Sequence, residues 1–308
     1  MNAASSIFQS STFGFAGILP NGYTSAVMSG QAVAGVFAAV ASLLSQVASS
    51  SVHGEQSPIT DSAYGYFSLA CVVLILCLAS VFLLSKMPFV DHYLQQTSVQ
   101  VLRQKQQKVV DASLQTRVIV RPSYLAIMRK VVWYAVSVYL VFTVTISLFP
   151  AVISQVVSSA PNPSHSSWTG VYYSTLVCFL MFNVADLTGR YITHWVQVGS
   201  GRRSLLLMTA LRCLFIPAFL FCNVQVKGER GIPTYSHLPE YDIIPIFLVA
   251  LFGISNGYLG SVAMVTAPQK VREDEKETAS TIMAFFLSGG LFSGGVLSFL
   301  WTFLVNPS

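Results

Sequence analysis

Apolar segments long enough to cross a membrane recur along this chain and are separated by shorter polar runs. A transmembrane helix needs about 20 largely apolar residues, and eight segments come close to that length. The weakest is the first, because it contains a polar run from Gln9 to Thr12 and is closed by Pro20. The pattern predicts an all-α polytopic membrane protein with about eight transmembrane helices, at roughly residues 2–20, 25–48, 64–86, 130–154, 169–194, 204–223, 243–264 and 279–304.

The polar segments divide the predicted helices into two groups. The longest is a predicted loop at residues 87–128, whose core is strongly basic. Residues 1–86 would then form the end of an N-terminal helical half with three spans, and residues 129–308 a C-terminal half with five. Shorter turns or loops are expected at residues 51–62, 155–168 and 224–242.

Composition supports a membrane setting. Charged residues make up 9% of the 308 residues and hydrophobic residues 53%, whereas about 25% of a typical soluble domain is charged. So little charge cannot cover a soluble surface, so lipid is expected to cover much of it. The net charge of +5 comes from basic residues in loops beside apolar runs, a pattern that reflects membrane orientation. We therefore expect a lipid bilayer among the partners and no nucleic acid.

Lysine and arginine are distributed unevenly between alternate loops. If all eight segments span, the long loop and the loops near residues 200 and 272 share one side with thirteen of these residues, against two on the other. Basic residues mark the cytoplasmic side, so the long loop is predicted to be cytoplasmic. Both ends of an eight-span chain would then lie outside, which leads us to expect further spans upstream of Met1.

The most informative polar residues lie in the run FNVADLTGR at residues 182–190. Asn183, Asp186 and Arg190 stand at i, i+3 and i+7, within an arc of about 60° on one helix face. Placing each charge near the bilayer centre costs about 2.5–3.5 kcal/mol on insertion scales. The pair is either a neutralised structural ion pair or a polar ligand site. The residue types favour a sugar site, because aspartate accepts from vicinal hydroxyls and arginine donates several N–H groups.

Three other polar positions lie inside apolar segments. Gln9 follows Ser5 by one turn and can both donate and accept, which suits the edge of a nucleobase, although a polar stripe is also typical of helix–helix contacts. Arg212 has no acid within one turn, so its partner must come from elsewhere, with the acidic run at residues 272–277 as a candidate. Asn256 is expected to mark a bend or a polar contact.

Small residues suggest close packing of helices. Gly30, beside Gln31, and the pair Gly290 and Gly294 have the spacing typical of tight helix contacts; sliding contacts between moving helix bundles, or gating, are the functional alternative. All five cysteines lie in apolar segments and are expected to be buried thiols. Neither a metal-ligand spacing nor a nucleotide-binding Walker motif is present, so we expect no metal and no ATP-driven step.

Five ordered runs connect these features to a known family. They are LPNGYTSAVMSGQAVAG (19–35), SLFPAV (147–152), FNVADLTGR (182–190), SNGYLGS (255–261) and ETASTIMAFFL (277–287). In sequence, order and spacing they resemble the equilibrative nucleoside transporters, and the resemblance covers nearly the whole chain.

The resemblance implies a fold and a function. Members have eleven spans in a major-facilitator-like arrangement, so the eight segments here would be spans four to eleven of an N-terminally truncated member. The family carries nucleosides such as uridine and adenosine, and often nucleobases, down their gradient without ion coupling. The resemblance therefore implies facilitated diffusion by a solute carrier that is not an enzyme and has no cofactor. The plasma membrane is favoured over endosomal or lysosomal membranes.

The resemblance also implies roles for individual residues. Asp186 and Arg190 match the pair that holds the ribose, Gln9 matches the glutamine near the base, and Asn183 lies on the same face as the pair. The family's Gly-Gln-Gly is Gly30-Gln31-Ala32 here. An interpretation from another class is a non-transporting helical membrane fragment that acts as a regulatory partner of a full-length copy.

The predicted topology can be tested by labelling. A tag inserted in the loop at residues 87–128 should be protected from a membrane-impermeant reagent in intact cells, because that loop is expected to be cytoplasmic. A tag after Ser308 should be labelled in the same cells. The reverse pattern would overturn the orientation.

Ser5 stands where inhibitor-sensitive members of the resembled family have a glycine, so low sensitivity to nitrobenzylthioinosine-type inhibitors is expected. In the full-length protein, Ser5→Gly should make nitrobenzylthioinosine a more potent inhibitor of uridine uptake. An unchanged inhibition curve would show that Ser5 does not match that glycine.

Overall fold

A computed structural model describes residues 3–20, 22–52, 58–95, 99, 124–158, 170, 172–196, 201–222 and 242–305. Across those ranges the structure is helical and contains no strand, which confirms the predicted all-α fold. The α-helices are α1 Ala3–Ile18, α2 Gly22–Val52, α3 Pro58–Ser85, α4 Tyr124–Leu148, α5 Phe182–Trp195, α6 Arg202–Leu211, α7 Phe215–Leu220, α8 Ile243–Thr266 and α9 Lys276–Val305.

Two of the predicted segments contain local departures from α-helical geometry. A π-helical stretch, Ser174–Met181, runs directly into α5. The 3-10 turn Arg212–Leu214 joins α6 to α7. Pro217 lies in the first turn of α7 and has no N–H, so it cannot bond to the carbonyl of residue 213, and the backbone ahead of it tightens into a 3-10 turn.

Each of the eight predicted segments contains helix, and six helical stretches are long and apolar enough to cross a membrane. The other two predicted spans fall short for physical reasons. Helix α1 has 16 residues, and the segment containing α5 includes the charged pair Asp186 and Arg190, which lowers its hydropathy. The six are Gly22–Val47, Phe67–Ser85, Tyr124–Gln155, Arg202–Leu220, Ile243–Lys270 and Glu273–Trp301.

Several predicted loop boundaries are corrected by the structure. Helices α2 and α3 extend into the predicted turn at residues 51–62, so that only residues 53–57 of this turn lie outside the described residues. A short helix occupies residues 88–95, and α4 begins at Tyr124, both inside the predicted loop at 87–128. Most of the other two predicted loops, at 155–168 and 224–242, lies outside the described residues.

Helices α4 and α9 form the most extensive helix–helix contact in the described fold. A Cβ added at Gly290 would lie 2.5 Å from the carbonyl oxygen of Tyr139, and one at Gly294 would lie 2.8 Å from that of Thr143. The predicted close packing at these two glycines is confirmed.

The expected close packing at Gly30 is not observed, because a Cβ there would meet no described atom within 4 Å. Gln31 beside it is exposed. The tight contact of α2 is made instead by Gly35, which faces the side-chain oxygen of Asn183 on α5. The spacing in the sequence identified the run of small residues on α2, but it did not show which of them contacts another helix.

Apolar side chains are distributed on both the inside and the outside of this fold. The buried apolar residues form two clusters, one that contains Val138 and Met283 and one that contains Phe219 and Phe252. Helix α3 instead exposes its apolar residues, with Leu74 68% and Leu78 72% accessible. An apolar surface of this extent is expected for a helix that faces lipid or other membrane helices.

The cysteines, like the apolar residues, lie at both buried and exposed positions. Cys178 and Cys222 are buried as expected, but Cys71, Cys77 and Cys213 are exposed on helix surfaces. The prediction of five buried thiols is therefore wrong for three of them. In a membrane protein an apolar neighbourhood along the sequence does not distinguish a lipid-facing position from an interior one.

Candidate functional site

Helices α5 and α8 touch backbone to backbone, and glycine allows this contact. A Cβ at Gly257 would overlap the carbonyl oxygen of Asp186, and one at Gly189 would overlap that of Ile254. Gly253, one turn before Gly257, lies against Phe182 and Ala185 in the same way. Small residues at such a spacing let two membrane helices approach closely. The contact brings short polar side chains of α8 within reach of Asp186.

Asp186 is buried and both of its carboxylate oxygens are hydrogen-bonded. Arg190 Nε donates to Oδ2 at 2.8 Å, which confirms that the two charges share one helix face. Asn256 Nδ2 of α8 donates to Oδ1 at 2.6 Å. Asp186 is 4% exposed and Arg190 6%, so the pair is neutralised within the protein rather than by solvent.

Arg190 also connects the two groups of helices. Its Nη1 donates to the backbone carbonyl of Met28 at 2.7 Å. Met28 belongs to α2, in the first group, whereas Arg190 belongs to α5, in the second. The ion pair therefore lies at the junction between the two groups.

A line of hydrogen bonds continues from Asp186 across α8 and α4. The hydroxyl of Thr145 lies 2.7 Å from Asn256 Oδ1, and Arg212 Nη2 donates to that hydroxyl at 2.8 Å. We call the series Arg190, Asp186, Asn256, Thr145 and Arg212 the polar chain.

The direction of the polar chain follows from what each group can donate. A carboxylate only accepts, so Asn256 turns its NH₂ toward Asp186 and its oxygen toward Thr145. Thr145 accepts from Arg212 and has one hydrogen, which it can donate either to Asn256 or to the carbonyl of Val141 at 2.7 Å. Its bond to Asn256 is therefore shared with its own helix.

Arg212 has different partners from those expected. Its Nη1 donates to the carbonyl of Phe252 at 3.0 Å and to the hydroxyl of Ser255. Its guanidinium carbon lies 4.6 Å from the centre of the Phe252 ring, a cation–π geometry. The residue is 1% exposed, and its Nε is buried without a hydrogen-bond partner in the described structure.

The expected partnership of Arg212 with the acidic run at residues 272–277 is wrong. Within that run, Glu275 is buried and accepts from Lys130 Nζ at 2.8 Å and from Arg272 Nη2 at 3.0 Å. Glu275 is therefore already paired with Lys130 near the start of α4 and with Arg272 in its own turn. The polar chain consequently contains two guanidinium groups and one carboxylate.

The remaining predicted site residues lie outside the polar chain. Asn183 Nδ2 donates to the carbonyl of Phe179 at 2.7 Å, and its oxygen faces Gly35. Gln9 on α1 is half-buried, and its Oε1 is buried with no hydrogen-bond partner among the described residues. Ser5 is exposed on the same helix. Thr145 was not predicted as a site residue, because Thr143 and Thr145 in an apolar span have no spacing that indicates a site.

Comparison with known proteins identifies the family. Residues 1–303 match the family described as nucleoside transporter. The chain belongs to the nucleoside transporter family. It is 38% identical over 322 residues to equilibrative nucleoside transporter 1 of Rattus norvegicus, an alignment that covers 99% of this chain and 67% of that relative.

Two human proteins are similar over the same range. The chain is 36% identical over 322 residues to equilibrative nucleoside transporter 1 of Homo sapiens, covering 99% of this chain and 67% of that protein. It is 33% identical over 336 residues to equilibrative nucleoside transporter 2 of Homo sapiens, covering 99% and 70%. The family resemblance drawn from the five motifs is confirmed. This nucleoside transporter family member is a multi-pass membrane protein and not an enzyme.

The polar chain predicts an unusual sensitivity at Arg212. Arg212→Ala should leave the hydroxyls of Thr145 and Ser255 without the donor that Arg212 supplies, at about 1–3 kcal/mol for each buried group left unpaired. The melting temperature in detergent should therefore fall clearly. Arg203→Ala, which removes an exposed arginine of the preceding helix, is the matched control and should melt close to wild type. Equal melting of the two variants would contradict a stabilising role for the polar chain.

Proposed function

We propose that this protein carries nucleosides, and nucleobases in addition, across a membrane by facilitated diffusion. Membership of the nucleoside transporter family supports the proposal, and the similar proteins are named equilibrative nucleoside transporters. The observation that carries the proposal within the structure is the position of the Asp186–Arg190 pair. It lies buried where α2 of the first helix group meets α5 of the second, where a substrate would contact both groups.

The pair has the chemistry to bind a ribose. Each carboxylate oxygen of Asp186 accepts one hydrogen bond, from Arg190 or from Asn256, and has a second lone pair for a hydroxyl donor. Arg190 supplies further N–H groups that can donate to hydroxyl oxygens. A vicinal diol can therefore bind beside the ion pair without dismantling it.

Gln9 and Asn183 complete the proposed substrate site. The Oε1 of Gln9 is buried without a partner among the described residues, so an N–H group of a base edge would satisfy it. Asn183 already donates to Phe179, but its oxygen lies at the α2–α5 contact and can accept. Arg212 and Asn256 would act in packing or gating, and Gly30 and Gln31 in gating, rather than by contacting substrate.

We propose alternating access between the two helix groups as the transport mechanism. Residues 1–86 would move against residues 129–308, with the loop at 87–128 on the cytoplasmic side. The Arg190–Met28 hydrogen bond crosses between the groups and would break and re-form in each cycle. Asp186 is already paired with Arg190, so it does not offer the unpaired acid that a proton-coupled carrier would use. The substrate gradient alone would drive transport, in the plasma membrane.

Substrate selectivity tests the ribose role of Asp186. A site built to bind hydroxyls discriminates against an analogue that lacks them, because its buried groups are left unpaired. In the full-length protein, uridine uptake should exceed that of 2′,3′-dideoxyuridine. Asp186→Ala should reach the cell surface, lower uridine uptake about tenfold or more, and narrow the gap between the two substrates. Surface biotinylation with paired uptake assays measures both effects.

The control for this experiment is Glu273→Ala, which removes an acid with an 80% exposed side chain and should change neither property. A purely structural ion pair predicts a different outcome. Asp186→Ala and Arg190→Ala would then be lost from the membrane, and the double change Asp186→Asn with Arg190→Gln would restore expression with unchanged selectivity. Asp186→Ala that reaches the surface and keeps wild-type uptake and preference would rule out the ribose role.

A further inference from the structure

A small polar cavity lies between the two helix groups, next to the polar chain. It has a volume of about 190 Å³ and is lined by hydroxyl, imidazole and amide side chains together with Gly22, Val262 and Val265. Its polar lining comes from α2, α5, α8 and the turn that follows α8, and consists of Ser25, Thr193, His194, Ser261, Thr266 and Gln269.

The cavity lies one helical turn from the Asp186–Arg190 pair on all three helices. On α5, His194 follows Arg190 by four residues. On α8, Ser261 follows Gly257, which touches the backbone of Asp186, by four residues. On α2, Ser25 precedes Met28, the acceptor for Arg190, by three residues. One turn is about 5.4 Å, so a ligand that leaves the ion pair would reach these side chains next.

The charge distribution predicts which side of the membrane this cavity faces. Helix α5 is followed by Arg202 and Arg203, and α8 by Lys270 and Arg272. Basic loops mark the cytoplasmic side, so the cavity lies between the ion pair and the predicted cytoplasm. His194 and Gln269 are exposed, which places them at its mouth.

Ser261 indicates that the cavity receives a polar ligand. It is 1% exposed, lines the cavity, and its hydroxyl has no hydrogen-bond partner in the described structure. Because this hydroxyl belongs to a residue of the cavity wall and has no described partner, a polar group that enters the cavity can bond to it without displacing an existing hydrogen bond. Two neighbouring hydroxyls are engaged, since Thr193 donates to the carbonyl of Arg190 at 2.6 Å and Ser25 lies 3.2 Å from His194 Nε2.

The size of the cavity limits what can occupy it. Pockets that enclose a complete drug-sized ligand have volumes of about 300–1,000 Å³, so a cavity of about 190 Å³ suits a small group such as a pentose ring. Its hydroxyl and amide groups can bond to the several hydroxyls of a pentose, while Val262 and Val265 can contact the carbon face of the sugar ring.

We propose that this cavity is a second station for the sugar of the nucleoside, on the cytoplasmic side of the ion pair. The inference rests on the proposed transport function. Ser261 bonds to the 2′- or 3′-hydroxyl of the pentose after the sugar leaves Asp186 and Arg190. The Ser25–His194 contact joins α2 to α5 beside the station, so its opening separates the two helix groups and releases the sugar.

Uridine transport measured separately in each direction tests the station in the full-length protein. In Ser261→Ala, the uridine concentration for half-maximal transport from the cytoplasmic face should rise roughly two- to tenfold, the range that one net hydrogen bond supplies. The corresponding value at the outer face should not change. For 2′,3′-dideoxyuridine neither value should change, because this analogue lacks the hydroxyls that Ser261 would bind.

Thermodynamics also predicts the direction in which the maximal rate of efflux changes, and this direction distinguishes a lost substrate contact from a general loss of transport activity. A carrier without an energy source produces no net flux at equal concentrations, so the ratio of maximal rate to half-saturation must be equal in both directions. If influx is unchanged, the maximal rate of uridine efflux in Ser261→Ala must rise by the same factor as its half-saturation concentration. A variant that is merely damaged would lose maximal rate instead.

Ser280→Ala is the matched control. Ser280 is also 1% exposed with an unpartnered hydroxyl, but it lies on α9 and does not line the cavity, so both directions should match wild type. If Ser261→Ala reaches the membrane poorly, Gln269→Ala at the exposed mouth is the alternative variant. It should raise the uridine concentration for half-maximal transport at the cytoplasmic face alone.

Three outcomes would overturn the station. A wild-type protein that carries no uridine would overturn the transport function and the station together. Normal uridine transport with Ser261→Ala indistinguishable from Ser280→Ala would leave the function intact and show that Ser261 does not bind the sugar during transport. Equal changes at both faces, or equal changes for uridine and its dideoxy analogue, would assign Ser261 a structural role.

Discussion

The backbone contact between α5 and α8 is the constraint on which the rest of the site depends. At Gly189 and Gly257 the two helices approach so closely that a Cβ would overlap the opposing carbonyl oxygen. This approach allows the short side chain of Asn256 to reach Asp186. Without it, Asp186 would have only Arg190 as a described partner inside its own helix, and the α5 surface would carry a charged pair toward an apolar neighbour.

Buried charged groups need partners, and this need explains why α4, α5, α8 and the turn that contains Arg212 contact one another. Asp186 and Arg190 neutralise each other on α5, while Arg212 is anchored by Phe252 and Ser255 of α8 and by Thr145 of α4. Because water is absent from the bilayer interior, each donor and acceptor must find a partner in the protein. The polar chain therefore orients α4, α5 and α8 with a directional specificity that apolar packing lacks.

The same arrangement is suited to movement between the two helix groups. Within the second group, α5 and α8 are joined by backbone contact and by the Asn256–Asp186 hydrogen bond. Between the groups, the described polar contacts at this site are the Arg190–Met28 and Ser25–His194 hydrogen bonds. A few hydrogen bonds can exchange with substrate hydroxyls at small net free energy. Glycine also allows close contact between the groups, where Gly35 faces Asn183 and Gly17 lies against Ser280, so opening the interface requires both kinds of contact to separate.

Sequence by itself determined the helical membrane character, the approximate position of all eight segments, and the shared face of Asp186 and Arg190. These properties depend on local composition and on the 3.6-residue period, which act within a single helix. Only the tertiary structure decided that Thr145 and Asn256 connect Asp186 to Arg212, that Gly35 rather than Gly30 meets α5, and that three of the five cysteines face outward. The physical reason is that periodicity shows which residues share a face but not what that face contacts, and in a membrane protein lipid and interior are both apolar.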